Sequence, residues 1–195
     1  MPRAGLTRAK VVTEAAAVVD ETGWDRLSLA AVAERLGVRL PSLYKHIDSL
    51  DGLRADLAIL GTGELGQALT AAAIGRSGPD ALQAIATAYR GYAHRHPGRY
   101  AATVRAPRPE NSAHTAATDA VLQTVLAVLA GYQLDGDDAI DAARALRAAL
   151  HGFASLEASA GFGLPRDVDR SFGRLVTGLN LALTHWATIE QGATE

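Results

Sequence analysis

Four side chains between positions 39 and 46, Arg39, Ser42, Lys45 and His46, are hydrogen-bond donors of the sort that read base edges or grip phosphate oxygens. Their spacing sets them on one side of a short helix whose other side carries Leu40, Leu43, Tyr44 and Ile47. A helix with one buried face and one donor-rich face can enter the major groove of a duplex when a second helix braces it. No rival chemistry has comparable residues. The chain has no cysteine, which removes disulfides, thiolate zinc sites and cysteine nucleophiles. It has no glycine-rich phosphate loop, no His-Glu-x-x-His and no nucleophile elbow. Asp137 and Asp138 stand where a helix begins, so capping accounts for them. His94 and His96 are two positions apart, about 200° around a helix, and cannot share an ion there. No enzyme, metal or cofactor is expected.

The elements that would hold the donors are short and closely spaced. Val11, Val12, Ala15, Ala16 and Val19 make one apolar stripe, with Thr7 as its N-cap and Gly23 as its stop. Ser28 caps a second helix whose Leu29, Val32, Ala33 and Leu36 face inward, and Gly37 ends it. Leu36-Gly37-Val38-Arg39 is a tight turn, and Pro41 sits in the first turn of the third helix, where its missing N–H does no harm. Two amphipathic helices across a glycine turn are a helix-turn-helix arrangement.

Downstream, helical periodicity predicts segments at about 49–74, 80–96, 99–105, 112–130, 138–159 and 167–189, separated by Gly- and Pro-containing breaks. No alternating β pattern appears, so the fold class is all-α with about nine helices. The change from short to long helices near residue 48 divides the chain into a head, 1–48, and a body, 49–195. Residues 1–46 hold seven basic and five acidic side chains, a net of +2 in a chain whose total is −2, which suits a polyanion-binding head. No basic leader with an apolar core and no uncharged apolar run of about 18 residues is seen, so a cytoplasmic protein without a membrane partner is expected.

The stretch Leu27-Ser28-Leu29-Ala30-Ala31-Val32-Ala33-Glu34-Arg35-Leu36-Gly37-Val38, followed by Pro41-Ser42-Leu43-Tyr44-Lys45-His46-Ile47, closely resembles the DNA-binding head of the tetracycline-repressor (TetR) family over about residues 7–57. The resemblance implies phosphate contacts from Ser28 and Tyr44, and base reading or flanking by Pro41, Ser42, Lys45 and His46. It also implies added contacts near the N-terminus from Arg3, Arg8 and Lys10. Two departures stand out. Arg39 occupies a position where the family often has a capping Ser or Thr, exchanging a cap worth about 1 kcal/mol for a possible phosphate or guanine contact. No lysine occurs in Asp48-Ser49-Leu50-Asp51, where the family often sets one against phosphate.

Leu150-His151-Gly152-Phe153-Ala154-Ser155-Leu156-Glu157, with Gly161-Phe162 and Ser171-Phe172, resembles a C-terminal domain type found behind such heads and named for a Trp-His-Gly motif, although no convincing tryptophan precedes His151. The resemblance implies an effector pocket among the middle helices, lined by Tyr89, Tyr92, Tyr100, Val104, Leu122, Val125, His151, Phe153 and Phe162. It also implies that the last two long helices form a dimer surface, with Phe172, Leu175, Leu179, Leu183 and Trp186 on the stripe. Gly152 in a helix fits either a close neighbour or simple tolerance. The expected function is therefore a ligand-responsive transcription regulator, a repressor acting as a homodimer on a palindromic double-stranded operator and released by a small, largely apolar effector. The alternatives are a constitutive DNA binder without effector, and a helical enzyme or adaptor.

Overall fold

The computed structural model describes residues 5–186, which form nine α-helices and one 3-10 turn and contain no strand. The helices are α1 (Arg8–Thr22), α2 (Leu29–Leu36), α3 (Leu40–Leu43), α4 (Leu50–Ala73), α5 (Gly78–Arg95), α6 (Pro97–Ala102), α7 (Ser112–Ala130), α8 (Gly136–Ala158) and α9 (Val168–Thr184), with the 3-10 turn Trp24–Arg26 after α1. The chain packs as two compact units, 1–65 with 95–118 and 66–94 with 119–195. The partition thus falls inside α4 and inside α7, and the first unit extends beyond residue 48.

Local chemistry explains the boundaries in the first unit. Thr7 Oγ1 accepts from Lys10 N at 3.2 Å, and Gly23 ends α1 at φ 93°. Ser28 Oγ accepts from Ala31 N at 3.2 Å. The core is the inward side of these helices: Val11, Ala15, Val19, Val32, Leu43 and Ile47 meet Leu53 and Leu57 of α4. Leu40 and Tyr44, expected on that same face, instead point outward. The third helix is also shorter than its pattern suggests. Its α-helix stops at Leu43, and residues 44–46 continue as a turn in which His46 N and Ile47 N both donate to Leu43 O. With Ile47 as its last buried residue, the segment needs no further regular turn to be anchored.

In the second unit Leu82, Ile85, Ala86 and Tyr89 of α5 are buried, as are Ala142, Leu146, Leu150 and Ala154 of α8 at the spacing of one helix face. Two helices begin earlier than expected. α5 starts at Gly78, with Pro79 in the first turn. α8 starts at Gly136, whose φ of 53° lets the chain turn directly into it. In the first unit α6 starts at Pro97, within the Pro97-Gly98 break expected to close the segment 80–96, for the same first-turn reason. Asp167 caps α9, accepting from Asp169 N at 2.9 Å and Arg170 N at 3.3 Å. α9 ends at Thr184, and residues 187–189 of the expected helix lie outside the described residues. By length and composition alone α7 could cross a membrane. It also carries His114, Asp119 and Gln123, and its Thr124 hydroxyl bonds Thr70 of α4 at 2.8 Å, as befits a helix of a globular body.

Candidate functional site

The turn between α2 and α3 is fixed by backbone chemistry. Gly37 takes the left-handed conformation, φ 66°, ψ 31°. Gly37 N donates to Glu34 O at 2.9 Å and Val38 N to Ala33 O at 3.0 Å. That crossed pair satisfies two carbonyls at the helix end, and an L side chain at 37 would be strained. The chain then runs extended through Arg39, which makes no side-chain cap bond, so the missing Ser or Thr cap is not replaced. Leu43 and Ile47 are fully buried and hold the segment like two pegs. What remains outside is Arg39, Leu40, Pro41, Tyr44 and Lys45, with Ser42 and His46 half-buried. Tyr44 is 54% exposed and so lies outside the core.

Ser28, also expected to meet phosphate, is half-buried and already engaged by Ala31 N through its Oγ. The other cations divide. Arg35 bridges to Glu14 at 3.1 Å and Glu21 at 2.7 Å, bracing α2 on α1. Arg8 grips both carboxylate oxygens of Asp56, at 2.9 and 3.0 Å, and so is tied to α4. Lys10 is exposed, and Arg3 lies outside the described residues. At the start of α4 the expected lysine position is taken by a cap, Ser49 Oγ accepting from Gly52 N at 3.0 Å.

Sequence reasoning missed the clamp beneath this head. Arg99, at the start of α6, donates through its backbone N to Asp20 Oδ1 at 2.9 Å and through Nε to Oδ2 at 2.7 Å. Its Nη1 reaches both oxygens of Glu64 at 2.9 Å. One guanidinium therefore joins α6, the end of α1 and the middle of α4 in a charge-assisted fork. Beside it, Gly98 is so close to α1 that an added methyl would overlap the Val19 carbonyl and lie 2.6 Å from Asp20 N. No linear pattern marks these pairings, which span up to 79 positions.

In the second unit, the proposed pocket residues Tyr89 and Tyr92 are buried on α5, while Leu122 and Val125 of α7 and His151 and Phe153 of α8 are half-buried. Phe153 meets Phe162 at 4.8 Å between ring centroids and Phe172 at 5.1 Å. Tyr100 and Val104 belong to the first unit, the former buried and the latter exposed. Arg90 of α5, also missed, lies over the Phe172 ring at 4.8 Å. Its guanidinium forks onto Glu157, with Nε to Oε2 at 2.8 Å, and reaches Asp169 at 2.7 Å. His94 Nε2 joins Glu157 Oε2 at 2.7 Å. Arg90 holds the Glu157 carboxyl down at about 2; burial opposes this and His94 adds to it.

The stripe expected on a dimer surface splits. Phe172, Val176 and Leu183 are buried within the chain itself, which corrects the assignment of Phe172 and Leu183 to an open face. Leu175, Leu179 and Trp186 are half-buried. Leu181, missed because it falls outside the stripe, is 57% exposed, and Leu156 of α8 is exposed too. A methyl at Gly152 would meet open space, so no neighbour within the chain demands glycine there.

Residues 82–179, half of the chain, match the family model described as tetracyclin repressor-like, C-terminal domain. An HTH-type transcriptional regulator of Mycobacterium tuberculosis is 40% identical over 192 residues, 95% of this chain and 87% of that protein. Another, of Bacillus subtilis, is 35% identical over 167 residues, 86% of this chain and 87% of that one. The solved structure of a TetR variant from Acinetobacter baumannii in complex with minocycline is alike in fold, with a TM-score of 0.67 at 22% identity over 95% of this chain and 98% of that one.

Proposed function

Because the chain belongs to the tetracycline-repressor family of helix-turn-helix transcription regulators, which are not enzymes, we propose that it is a repressor released from a palindromic operator by a small, largely apolar effector. The observation that carries the DNA-binding part is the outward face of residues 39–46, pinned from below by Leu43 and Ile47. Tyr44 and Ser28 hold phosphates, while Arg39, Pro41, Ser42, Lys45 and His46 lie along the base edges. Two copies related by a two-fold axis read two half-sites about one helical turn apart.

The test is operator binding by fluorescence anisotropy after selection of sites from random duplexes. Tyr44→Phe and Lys45→Ala each weaken binding about tenfold, since every contact counts twice in a dimer. Lys45→Ala also lowers the salt slope, by about one per lost phosphate contact. Unchanged affinity in both variants sinks this placement.

The dimer forms through α8 and α9, with Leu175, Leu179, Leu181 and Trp186 meeting their own copies in a self-complementary contact. Leu179→Asp and Leu181→Asp give monomers by analytical ultracentrifugation and lose operator affinity together; a dimer that survives both moves the interface elsewhere.

The effector is held by the helices of the second unit, with Tyr89, Tyr92, Leu122, Val125, His151, Phe153 and Phe162 as a largely apolar lining. The solved relative from Acinetobacter baumannii holds minocycline, which supports a sensing role here. α4 runs unbroken from Leu50 to Ala73 and carries the signal, with Arg99 fastening α6 to α1 and α4. Release is limited to the effector's preference for one arrangement over the other. An effector at 100 times its Kd stabilises the protein by about 2.7 kcal/mol, so a thermal-shift screen detects it. No hit across apolar libraries favours a constitutive binder.

A further inference from the structure

Most arginines of the first unit's helices are spoken for. Arg8 holds Asp56, Arg35 holds Glu14 and Glu21, Arg54 holds Asp51, and Arg99 holds Asp20 and Glu64. Arg39 is exposed and has no hydrogen bond or ion pair with any described residue. Arg26 is likewise unpaired, but it lies on the 3-10 turn and not in the outward face 39–46. Nor does Arg39 cap α3. A Ser or Thr there would satisfy an N–H of the first turn and stabilise the helix. Arginine forgoes that gain and makes none within the chain.

The next residue is equally out of place for a structural role. Leu40 is 37% exposed, while Leu43 and Ile47 of the same segment are buried. The backbone is extended at Arg39, φ −78° and ψ 145°, and helical from Leu40, so the two side chains leave the chain in succession where it enters the outward face. A phosphate at the groove rim would satisfy the guanidinium and offer the leucine nothing. The floor of the major groove offers something to both. Guanine O6 and N7 accept a guanidinium fork, and the thymine methyl accepts an apolar side chain. In helix-turn-helix heads the residues at the start of the second helix are the ones that reach base edges.

We propose that Arg39 and Leu40 set operator specificity: Arg39 forks onto one guanine of each half-site, and Leu40 packs on the methyl of a thymine in an adjoining base pair. The proposal rests on the operator-binding reading above and gives it a base preference, a guanine–thymine neighbour pair in each half-site.

The probes are built on the duplex recovered by selection from random sequences. Each guanine in turn is replaced by 7-deazaguanine, which lacks the N7 acceptor, and each thymine by deoxyuridine, which lacks only the methyl. Affinities of the full chain are read by fluorescence anisotropy at one fixed salt concentration. For wild type, replacing one particular guanine in a half-site costs about tenfold, and replacing a thymine in an adjoining pair costs about fourfold. In Arg39→Ala the guanine penalty falls to about one and the thymine penalty stays. In Leu40→Ala the thymine penalty falls to about one and the guanine penalty stays. If Arg39 instead holds a phosphate, Arg39→Ala weakens every duplex alike and leaves each guanine penalty in place, which overturns the proposal. Arg39→Ser adds a second readout: it supplies the missing cap, so the Tm rises by roughly 2–4 °C as the guanine penalty disappears. A lowered Tm in that variant gives Arg39 a structural role and overturns the proposal, as does a selected sequence with no guanine–thymine neighbour pair. The operator-binding reading fails differently: selection then enriches no sequence, and Tyr44→Phe and Lys45→Ala bind as wild type does.

Discussion

Gly98→Ala should destabilise the protein by about 3 kcal/mol, lowering the Tm by roughly 6–12 °C at the 2–4 °C per kcal/mol expected for a chain of this size. The reason is the identity of what the methyl would strike. At Gly98 it overlaps the Val19 carbonyl and lies 2.6 Å from Asp20 N, which are backbone atoms of α1 and have no rotamer to escape into. Relief requires α6 and α1 to separate. That stretches the Arg99 fork to Asp20, made at 2.7 and 2.9 Å, and so loosens the helix against which α2 and residues 39–46 are braced. Operator affinity should fall with stability. Gly63 supplies the control: it also lies in a helix, yet a methyl there meets open space, so Gly63→Ala is neutral or stabilising by up to about 1 kcal/mol. Thermal denaturation followed by circular dichroism compares the two. Equal melting of Gly98→Ala and wild type refutes the close contact.

The contrast between these glycines shows what a linear reading can and cannot see. Gly37 was legible because its role is local. It ends an amphipathic helix, the next apolar residue follows immediately, and the left-handed turn needs no information from elsewhere. The same holds for Ser28, Thr7 and Asp167, each of which accepts from N–H groups two or three residues ahead. Pro97 misled because one residue type serves two purposes: it stops a helix that runs into it and starts one that follows it. Gly98, Arg99 and Glu64 gave no signal because their partners are set by tertiary packing, and a helix face with an arginine on it reads as solvated. The dimer stripe was half legible for a related reason. A helix period identifies apolar positions but not which neighbour covers them, so Phe172 and Leu183, buried in their own unit, were grouped with Leu175 and Leu179, which are not fully covered. Tyr44 illustrates the reverse. Its period places it with Leu43 and Ile47, while the shortened α3 leaves it outside the core.

Glu157→Gln should remove about 2 kcal/mol of stability at neutral pH and change how stability responds to acid. The carboxylate is 13% exposed and receives Arg90 and His94, while Arg90 also pairs with the largely exposed Asp169 and lies over Phe172. Glutamine keeps the shape and one acceptor but leaves a half-enclosed guanidinium with only the solvated Asp169 as countercharge, worth little by itself. The pH dependence follows from the direction of the shift. The folded Glu157 carboxyl titrates at about 2, well below its ordinary value of 4.5. The folded state therefore binds fewer protons than the unfolded state across that interval, and the contribution is fully present above about pH 4.5 and is lost as pH falls toward 2. Urea titrations of wild type and Glu157→Gln should differ most at pH 7, and the gap should narrow between pH 5 and pH 3. A gap independent of pH would mean that the variant acts through packing and not through the charge. Because Arg90 lies on α5, Glu157 on α8 and Asp169 on α9, the same loss should loosen the junction of these helices, and the dimer contact proposed for α8 and α9 should weaken along with stability.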